Sequence, residues 1–328
     1  KPKARACFLF PRTQYVQMQE ECFNVGQTYE LCLRAFGELD VIHEEQITDD
    51  KMNGYDILVM ADVKMLPREV AKHIAAFVKR GGVVISDCVP QSDSYFAPLE
   101  SMKELFGVKA AATNRVEQKG TWNPFSMLPA KWAFVKEAPA VPVKTYDQAQ
   151  GKAYNQNLSF RVITPRNCVA TDAQIITSLK SGFPLLLSRK VGKGSCYLFG
   201  FCLQDTYFQT WMDNDITSRT ELQQLMHDVF ASTGIVSRVY SSNPDIEAGV
   251  RLHGNEAYCF IINHEAENAI TDVTLRDLGF EVGQIMDVEW GRTVDFVRTP
   301  DGGIRFTIMA VEGTPTGVTR LLKITPKK

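Results

Sequence analysis

A cysteine at the end of an apolar strand is the residue of this chain best placed to do chemistry. In "VKRGGVVISDCVP" (78–90) a helix end and a glycine pair lead into "VVIS", and Cys88 stands at the exit. A nucleophile on a strand-to-helix elbow needs a sharp turn with small flanking residues, as in G-x-S-x-G. Here the neighbours are Asp87, Val89 and Pro90. A reactive thiolate also needs a base or a positive site to lower its pKa. Asp87 would raise it. His227, the histidine of the later α/β segment, falls on an amphipathic helix, and His253 and His264 lie in a β-rich segment. These residue types predict a buried or half-buried thiol at Cys88, not a working nucleophile.

Other stretches hold chemistry-bearing residues in weaker patterns. "VGKGSCYLFG" (191–200) offers Gly192-Lys193-Gly194, but G-x-G is too short for a phosphate loop and no helix follows, so a hairpin turn is expected. "WMDNDITSRTE" (211–221) sets Asp213 and Asp215 two apart without the glycine and terminal glutamate of a calcium loop, and helix capping accounts for them. No metal or cofactor is implied. "FIINHEAE" (260–267) puts Asn263, His264 and Glu265 at a strand exit, which reads as a turn. Trp122, Trp132 and Phe125 could stack on a sugar, although aromatics in a proline-rich stretch more often serve packing. Acidic residues abound, yet no spacing singles out the pair a glycosidase needs.

The elements that must position these residues follow from periodicity. Over residues 1–110 strand and helix signals alternate: "ACFLF", a helix closing near Gly37, "LDVIHEEQI", "YDILVMADV", a helix in "LPREVAKHIAAFVKRGG", then "GVVIS". In that last helix Pro67 suits the first turn. Val70, Ile74, Phe77 and Val78 share a face, and Gly81 can cap the end. Alternation of this kind predicts an α/β fold, a parallel sheet with helices on both faces. From 110 to 153 the pattern fades into an irregular excursion, with "TWNPFSMLPAKWAFVKEAPAVPVK" at its centre. "AQIITSLKSGFPLLLSRKVGKGSCYLFGF" reads as three strands split by two turns. A helix follows, with Ser218 and Glu221 at capping-box spacing and a stop at Gly234. Beyond it the helical period disappears, and short strands with Gly-Asn and Asp-Gly-Gly turns predict a small antiparallel β-sandwich. The expected division is 1–235 and 236–328.

Composition bounds the function. The 328 residues are 45% hydrophobic and 23% charged, with a formal net charge of -2. No basic footprint for nucleic acid is visible, and no apolar run approaches the length of a membrane span. The chain opens "KPKARACFLFP" with no signal-peptide pattern. Its 8 cysteines include no C-x-x-C and sit mostly within apolar runs, which argues against a disulfide scaffold or zinc site and favours a reducing compartment such as the cytoplasm. The compartment itself stays open.

Taken in order, the motifs resemble a known family. "YDILVMADVKMLPREVAKHIAAFVKRGGVVISD" (55–87), "SMKELFGV" (101–108) and "GFPLLLSRKVGKGSCYLFGF" (182–201) are similar to the trimerisation domain of family 42 glycoside hydrolases, the β-galactosidases. The stretch 232–275, with its "FIINHE", resembles the join to their C-terminal β domain. The likeness runs through nearly the whole chain and fits worst over 113–153. It implies a flavodoxin-like domain related to class I glutamine amidotransferases without their triad, acting in subunit association as a homo-oligomer, a trimer in that family. In these hydrolases the catalytic acid and nucleophile lie on a (β/α)8 barrel with no counterpart here, so no catalytic residue carries over. Cys88 falls where the related amidotransferases place their elbow cysteine.

Three functions follow as expectations. The first is a non-catalytic accessory and oligomerisation region of a β-galactosidase-like glycoside hydrolase. The second is a stand-alone amidotransferase-like hydrolase using Cys88. The third is a carbohydrate-binding module, with Trp122 and Trp132 or the β-sandwich as its surface.

Overall fold

A computed structural model describes residues 4–17, 25–109, 116–118, 141–143, 145–166, 168–243, 245–264, 267–311 and 320–327. The first strands and helices fall close to the apolar runs. They are β1 (Ala6–Phe10), α1 (Arg12–Gln17), α2 (Val25–Phe36), β2 (Leu39–His43), α3 (Asp49–Met52), β3 (Ile57–Met60), α4 (Arg68–Arg80), β4 (Val83–Ser86) and α5 (Glu100–Phe106). There follow β5 (Val116–Gln118), β6 (Val141–Val143), β7 (Tyr146–Ala153), β8 (Gln156–Leu158), β9 (Arg161–Ile163), β10 (Gln174–Leu179), β11 (Pro184–Val191), β12 (Gly194–Phe199), α6 (Leu203–Met212) and α7 (Ile216–Ser232).

The large sheet is ordered β2-β1-β3-β4-β12-β11-β10-β7-β8, with β9 also on β7. Its first five strands are parallel, and β11, β10 and β7 continue it antiparallel. The sheet is therefore mixed, not the purely parallel one expected. The cause is local. Gly192, with φ +61, opens a two-residue turn that pairs Val191 with Gly194, so β12 must return alongside β11. The expected excursion also ends earlier than 153, because β7 joins the sheet through β10.

Side-chain alternation gives each face of the sheet its own core. Ala6, Phe8, Ile57, Val59, Tyr197 and Phe199 pack towards α2, α6 and α7. Cys7, Leu9, Leu58, Met60, Cys196 and Leu198 pack towards α4 and α5. Helices therefore cover both faces, as a strand-helix alternation demands. In α4 the expected stripe of Val70, Ile74, Phe77 and Val78 is buried, with Pro67 at the N-cap and Gly81, at φ +125, as the C-cap. Helix α7 departs from its expected capping box. It begins at Ile216, and Asp215 caps it by accepting from the Ser218 N–H at 3.0 Å. Ser218 thus lies inside the first turn. Glu221 instead accepts from the backbone N–H and the hydroxyl of Ser159, both at 2.7 Å, tying α7 to the strand pair before it.

The chain then forms β13 (Val239–Ser241), β14 (Ile246–His253), β15 (Glu256–Asn263), β16 (Ala269–Leu275), β17 (Val282–Asp287), β18 (Arg292–Thr293), β19 (Val297–Arg298), β20 (Ile304–Ala310) and β21 (Arg320–Pro326). These make two antiparallel sheets, β13-β16-β20-β19 and β14-β15-β21-β17-β18, around one core that includes Val250, Ile261, Phe306 and Leu322. Helix α2 abuts β13 and β14. There Glu38 lies 3.5 Å from both Arg238 and Arg251. Among the described residues no helix is long and apolar enough to cross a membrane.

Candidate functional site at the carboxyl edge of the parallel strands

In an open α/β sheet the ligand crevice lies beyond the carboxyl ends of the parallel strands. Here that edge is formed where β3, β4 and β12 end, and it gathers Asp62, Asp87, Cys88, Arg166 and Cys202. Cys88 is completely buried. Its backbone N–H donates to the Ser86 hydroxyl at 3.3 Å, and that hydroxyl lies 2.6 Å from the Cys88 carbonyl oxygen. The thiol faces the Val89 carbonyl at 3.9 Å. Burial pushes it up to about 12, only partly offset by the Arg166 charge and reinforced by Asp62 and Asp87. A thiol in that state carries almost no thiolate at neutral pH.

Asp87, read in the sequence only as a hindrance to its neighbour, organises this edge. One carboxylate oxygen accepts from the Asp62 N–H at 2.6 Å. The other accepts from the Leu203 N–H at 2.9 Å, at the first turn of α6. A carboxylate there also meets the positive end of the helix dipole. Arg166, with no exposed surface, sets its Nη2 2.6 Å from Asp62 and 3.8 Å from Asp87. Burial pushes the Asp87 carboxyl up, and the Arg166 guanidinium pulls it back. Lys64 completes the charge balance, 3.4 Å from Asp62. Two non-glycine residues adopt left-handed backbone here, Asp62 at φ +47 and Thr164 at φ +53. Thr164 is β-branched, so its conformation carries real strain. It is held by its own hydroxyl donating to Asp205 at 3.0 Å.

The edge is thus filled by the chain's own guanidinium and carboxylates. Such a cluster can lock three strand ends and a helix terminus together. It presents no exposed nucleophile, and among the described residues no histidine makes a hydrogen bond or ion pair with Cys88. Sequence reasoning found Cys88 and Asp87 but missed Asp62 and Arg166. The available signal was an isolated arginine in "VITPRNC" with no acidic neighbour in sequence, which must find its counter-charge through the fold.

The remaining candidates are dispersed. Trp122, Trp132 and Phe125 lie outside the described residues. Asp213 pairs with Arg161 and accepts from Gln209, while Asp215 caps α7, so the two face different partners. Among the described residues no group of three or more metal-binding side chains converges. Gly192-Lys193-Gly194 is the expected hairpin corner. Asn263 closes the turn after β15, its amide donating to the Glu267 and Val311 carbonyls at 2.7 and 3.0 Å. His264 pairs with Glu247 at 3.1 Å, and His227 stacks on Tyr240 with ring centroids 4.8 Å apart. The described cysteines are all buried, and none of them is in a disulfide.

The fold recurs in solved structures. The fold is that of a region of β-galactosidases. The structure of the β-galactosidase from Bacillus circulans sp. alkalophilus superposes with a TM-score of 0.64 at 14% identity, over 98% of this chain and 41% of that one. Gan42B, a GH42 β-galactosidase from G. stearothermophilus, gives 0.63 at 16% identity, over 98% of this chain and 40% of that one. The α-L-fucosidase isoenzyme 2 from Paenibacillus thiaminolyticus gives 0.62 at 11% identity, over 99% and 49%. In sequence, an exo-β-D-glucosaminidase from Thermococcus kodakarensis is 34% identical over 71 residues, 21% of this chain and 9% of that relative. The chain therefore spans well under half the length of the galactosidases it matches. No family profile matches it.

Proposed function

We propose that this chain is a non-catalytic accessory and association region of a glycoside hydrolase similar to the family 42 β-galactosidases. The observation that carries this reading is coverage: 98% of the chain fits onto only 40–41% of two β-galactosidases. The filled strand edge supports it, since Cys88 is buried beside Asp87 and braced by Arg166. On this reading residues 1–235 form a flavodoxin-like unit and 236–328 a β-sandwich. The parallel order β2-β1-β3-β4-β12 supports the flavodoxin-like description. Cys88 then occupies the elbow of a glutamine amidotransferase-type ancestor whose site has been closed. Self-association, as a trimer, is the proposed role, and the hydrolytic carboxylates belong to residues other than these 328.

Light scattering of the purified chain tests the association. A trimer supports the proposal, and a strict monomer at high concentration overturns it. A parallel assay on p-nitrophenyl galactoside and on glutamine addresses catalysis. No turnover is expected. Turnover abolished by Cys88→Ser would instead establish a stand-alone hydrolase.

A further inference from the structure

Two short segments that follow β1 and β4 at the carboxyl edge carry side chains that the fold does not bury. Helix α1 presents Tyr15 and Val16, and the turn 93–97 presents Tyr95 and Phe96. Among the described residues Tyr95 is the most exposed of the large apolar ones. Gln17 joins the two segments, its amide donating to the Ser94 carbonyl at 3.0 Å. The four residues therefore share one stretch of surface.

This surface is held firmly. Phe96 is in the left-handed region, at φ +60, with its N–H donating to the Asp93 carbonyl at 2.9 Å. The Asp93 N–H donates to the Ala97 carbonyl at 2.8 Å, and the buried Asp93 carboxylate accepts from the Tyr95 and Ala97 N–H groups. The turn is fastened to the loop after β3, where the Gln91 N–H donates to the Lys64 carbonyl at 2.8 Å and the Leu66 N–H to the Ser92 carbonyl at 3.1 Å. Helix α1 is fastened to the same loop. The Gln14 amide donates to the Asp62 carbonyl at 2.9 Å, and its Oε1 accepts from the Lys64 N–H at 2.6 Å. Left-handed strain at a bulky residue persists only where the surroundings impose it, and it concentrates at sites that clamp ligands. Rings carried on so fixed a backbone lose little freedom on binding.

We propose that Tyr95 and Phe96, with Tyr15 beside them, form a platform for a neutral polysaccharide. A pyranose ring has a face of C–H groups that stacks on an aromatic ring, while its hydroxyls reach past the edge to water and polar neighbours. Tyr95 and Phe96 stand out from the surface, whereas sites for single small molecules are concave. A lone sugar is therefore held poorly, and a chain that touches several rings at once is the ligand that fits. Neutrality follows from the pairing of charges. The charged side chains of the two segments, Arg12 and Asp93, are matched by Glu45 and Arg68. A charged polymer gains an ion pair with them only by breaking one. The platform does not rest on the association proposed above.

Native electrophoresis of the full chain in gels that contain a soluble polysaccharide tests the platform. The probes are linear galactan, β-glucan and galactomannan as neutral polymers, polygalacturonate as an acidic one and galactose as the monomer. At least one neutral polymer is expected to slow the chain, and galactose is expected not to release it. Phe96→Gly and Tyr95→Ala should each weaken binding about threefold or more, the worth of one stacked ring. Both residues are exposed, so neither change opens the core. Ile270→Ala, a change at an exposed position of β16, should leave the retardation as in wild type. No retardation by any neutral polymer, binding kept by both ring variants, an equal loss in Ile270→Ala, or stronger retardation by polygalacturonate overturns the proposal. So does a fall in molar mass of Tyr95→Ala by light scattering, which would assign the surface to contacts between copies of this chain.

Discussion

Arg166 and Asp62 form a 2.6 Å ion pair at the carboxyl edge of the sheet, with the guanidinium wholly buried and Asp62 in a left-handed backbone conformation. Their sequence separation is 104 residues, so the pair joins the loop after β3 to the segment after β9. With Asp87 beside them, it converts the usual crevice of an α/β sheet into a structural joint.

Breaking that joint should be severe. Arg166→Met leaves Asp87, which is fully buried, without its nearby cation. Removing one partner of a buried ion pair costs about 3–5 kcal/mol. Urea denaturation should show a loss of that order. Arg166→Lys should recover only part of it, because an ammonium lacks the planar fork. A loss below about 1 kcal/mol for Arg166→Met would contradict the structural role given to the cluster.

Cys88 should be inert in the folded chain. Its thiol is pushed up to about 12 by burial and has no exposed surface. Iodoacetamide at neutral pH should label it far more slowly than free cysteine, and denaturation should restore ordinary labelling. Peptide mass spectrometry of native and unfolded samples reads this directly. Rapid native labelling of Cys88 would revive the nucleophile.

Alkaline pH should destabilise the fold through its buried thiols. Burial pushes Cys259 up to about 12 from an ordinary 9.0. The sign follows from proton counting. Above pH 9 the unfolded chain has released this proton and the folded chain has not, so unfolding is favoured as pH rises. The stability contributed by the neutral thiol is fully present below about pH 9 and is lost progressively towards pH 12. The slope approaches about 1.4 kcal/mol per pH unit for each such group. Comparing wild type with Cys259→Ala at pH 8 and 10.5 isolates it, because lysines titrate alike in both. The stability gap between the two proteins should narrow at the higher pH.

Gly37 should tolerate no side chain. It closes α2 at φ +106, and a Cβ there would lie 1.9 Å from the Val239 carbonyl oxygen at the start of the β-sandwich. Gly37→Ala therefore combines backbone strain with a clash that only separation of the two units relieves. A loss of about 2 kcal/mol or more is expected. Hydrogen exchange should rise at α2 and β13 together. A thermal midpoint equal to wild type would contradict the close approach.

How far the residues alone reveal this molecule depends on the range of the interactions. The α/β alternation, the α4 stripe and the β-sandwich are written in local periodicity, so they could be read directly. The antiparallel extension of the sheet was partly legible, since its two glycine turns were visible but the docking of β12 on β4 was not. The Asp62–Arg166 pair was illegible, because neither residue has a local pattern and only the fold brings them together. Cys88 was legible as a position, and the burial found there agrees with the crowding expected from Asp87, Val89 and Pro90. The number of strands and the filling of the edge needed the structure.

Phe96 offers a test of stored strain away from any buried cluster. It has φ +60, a conformation rare for a non-glycine residue, yet the residue is 65% exposed and its neighbour Tyr95 87% exposed. The turn beneath them is strongly braced. The Asp93 carboxylate accepts from the N–H groups of Tyr95 and Ala97, both at 2.9 Å, and Arg68 donates to the same carboxylate. The backbone is therefore imposed on Phe96 by its neighbours, while the ring makes little of the packing that would offset it. Left-handed strain costs about 1–3 kcal/mol, and glycine adopts that region freely at an unfolded-state entropy cost of about 0.5–1 kcal/mol. Phe96→Gly should accordingly leave the fold unharmed or raise its stability by up to about 1 kcal/mol. Asp93→Ala should do the reverse, since it removes the bracing bonds and leaves the strained turn unsupported. Thermal melting of both variants checks the pair. A clear loss of stability in Phe96→Gly would mean that the exposed ring stabilises the fold through contacts that outweigh its backbone strain.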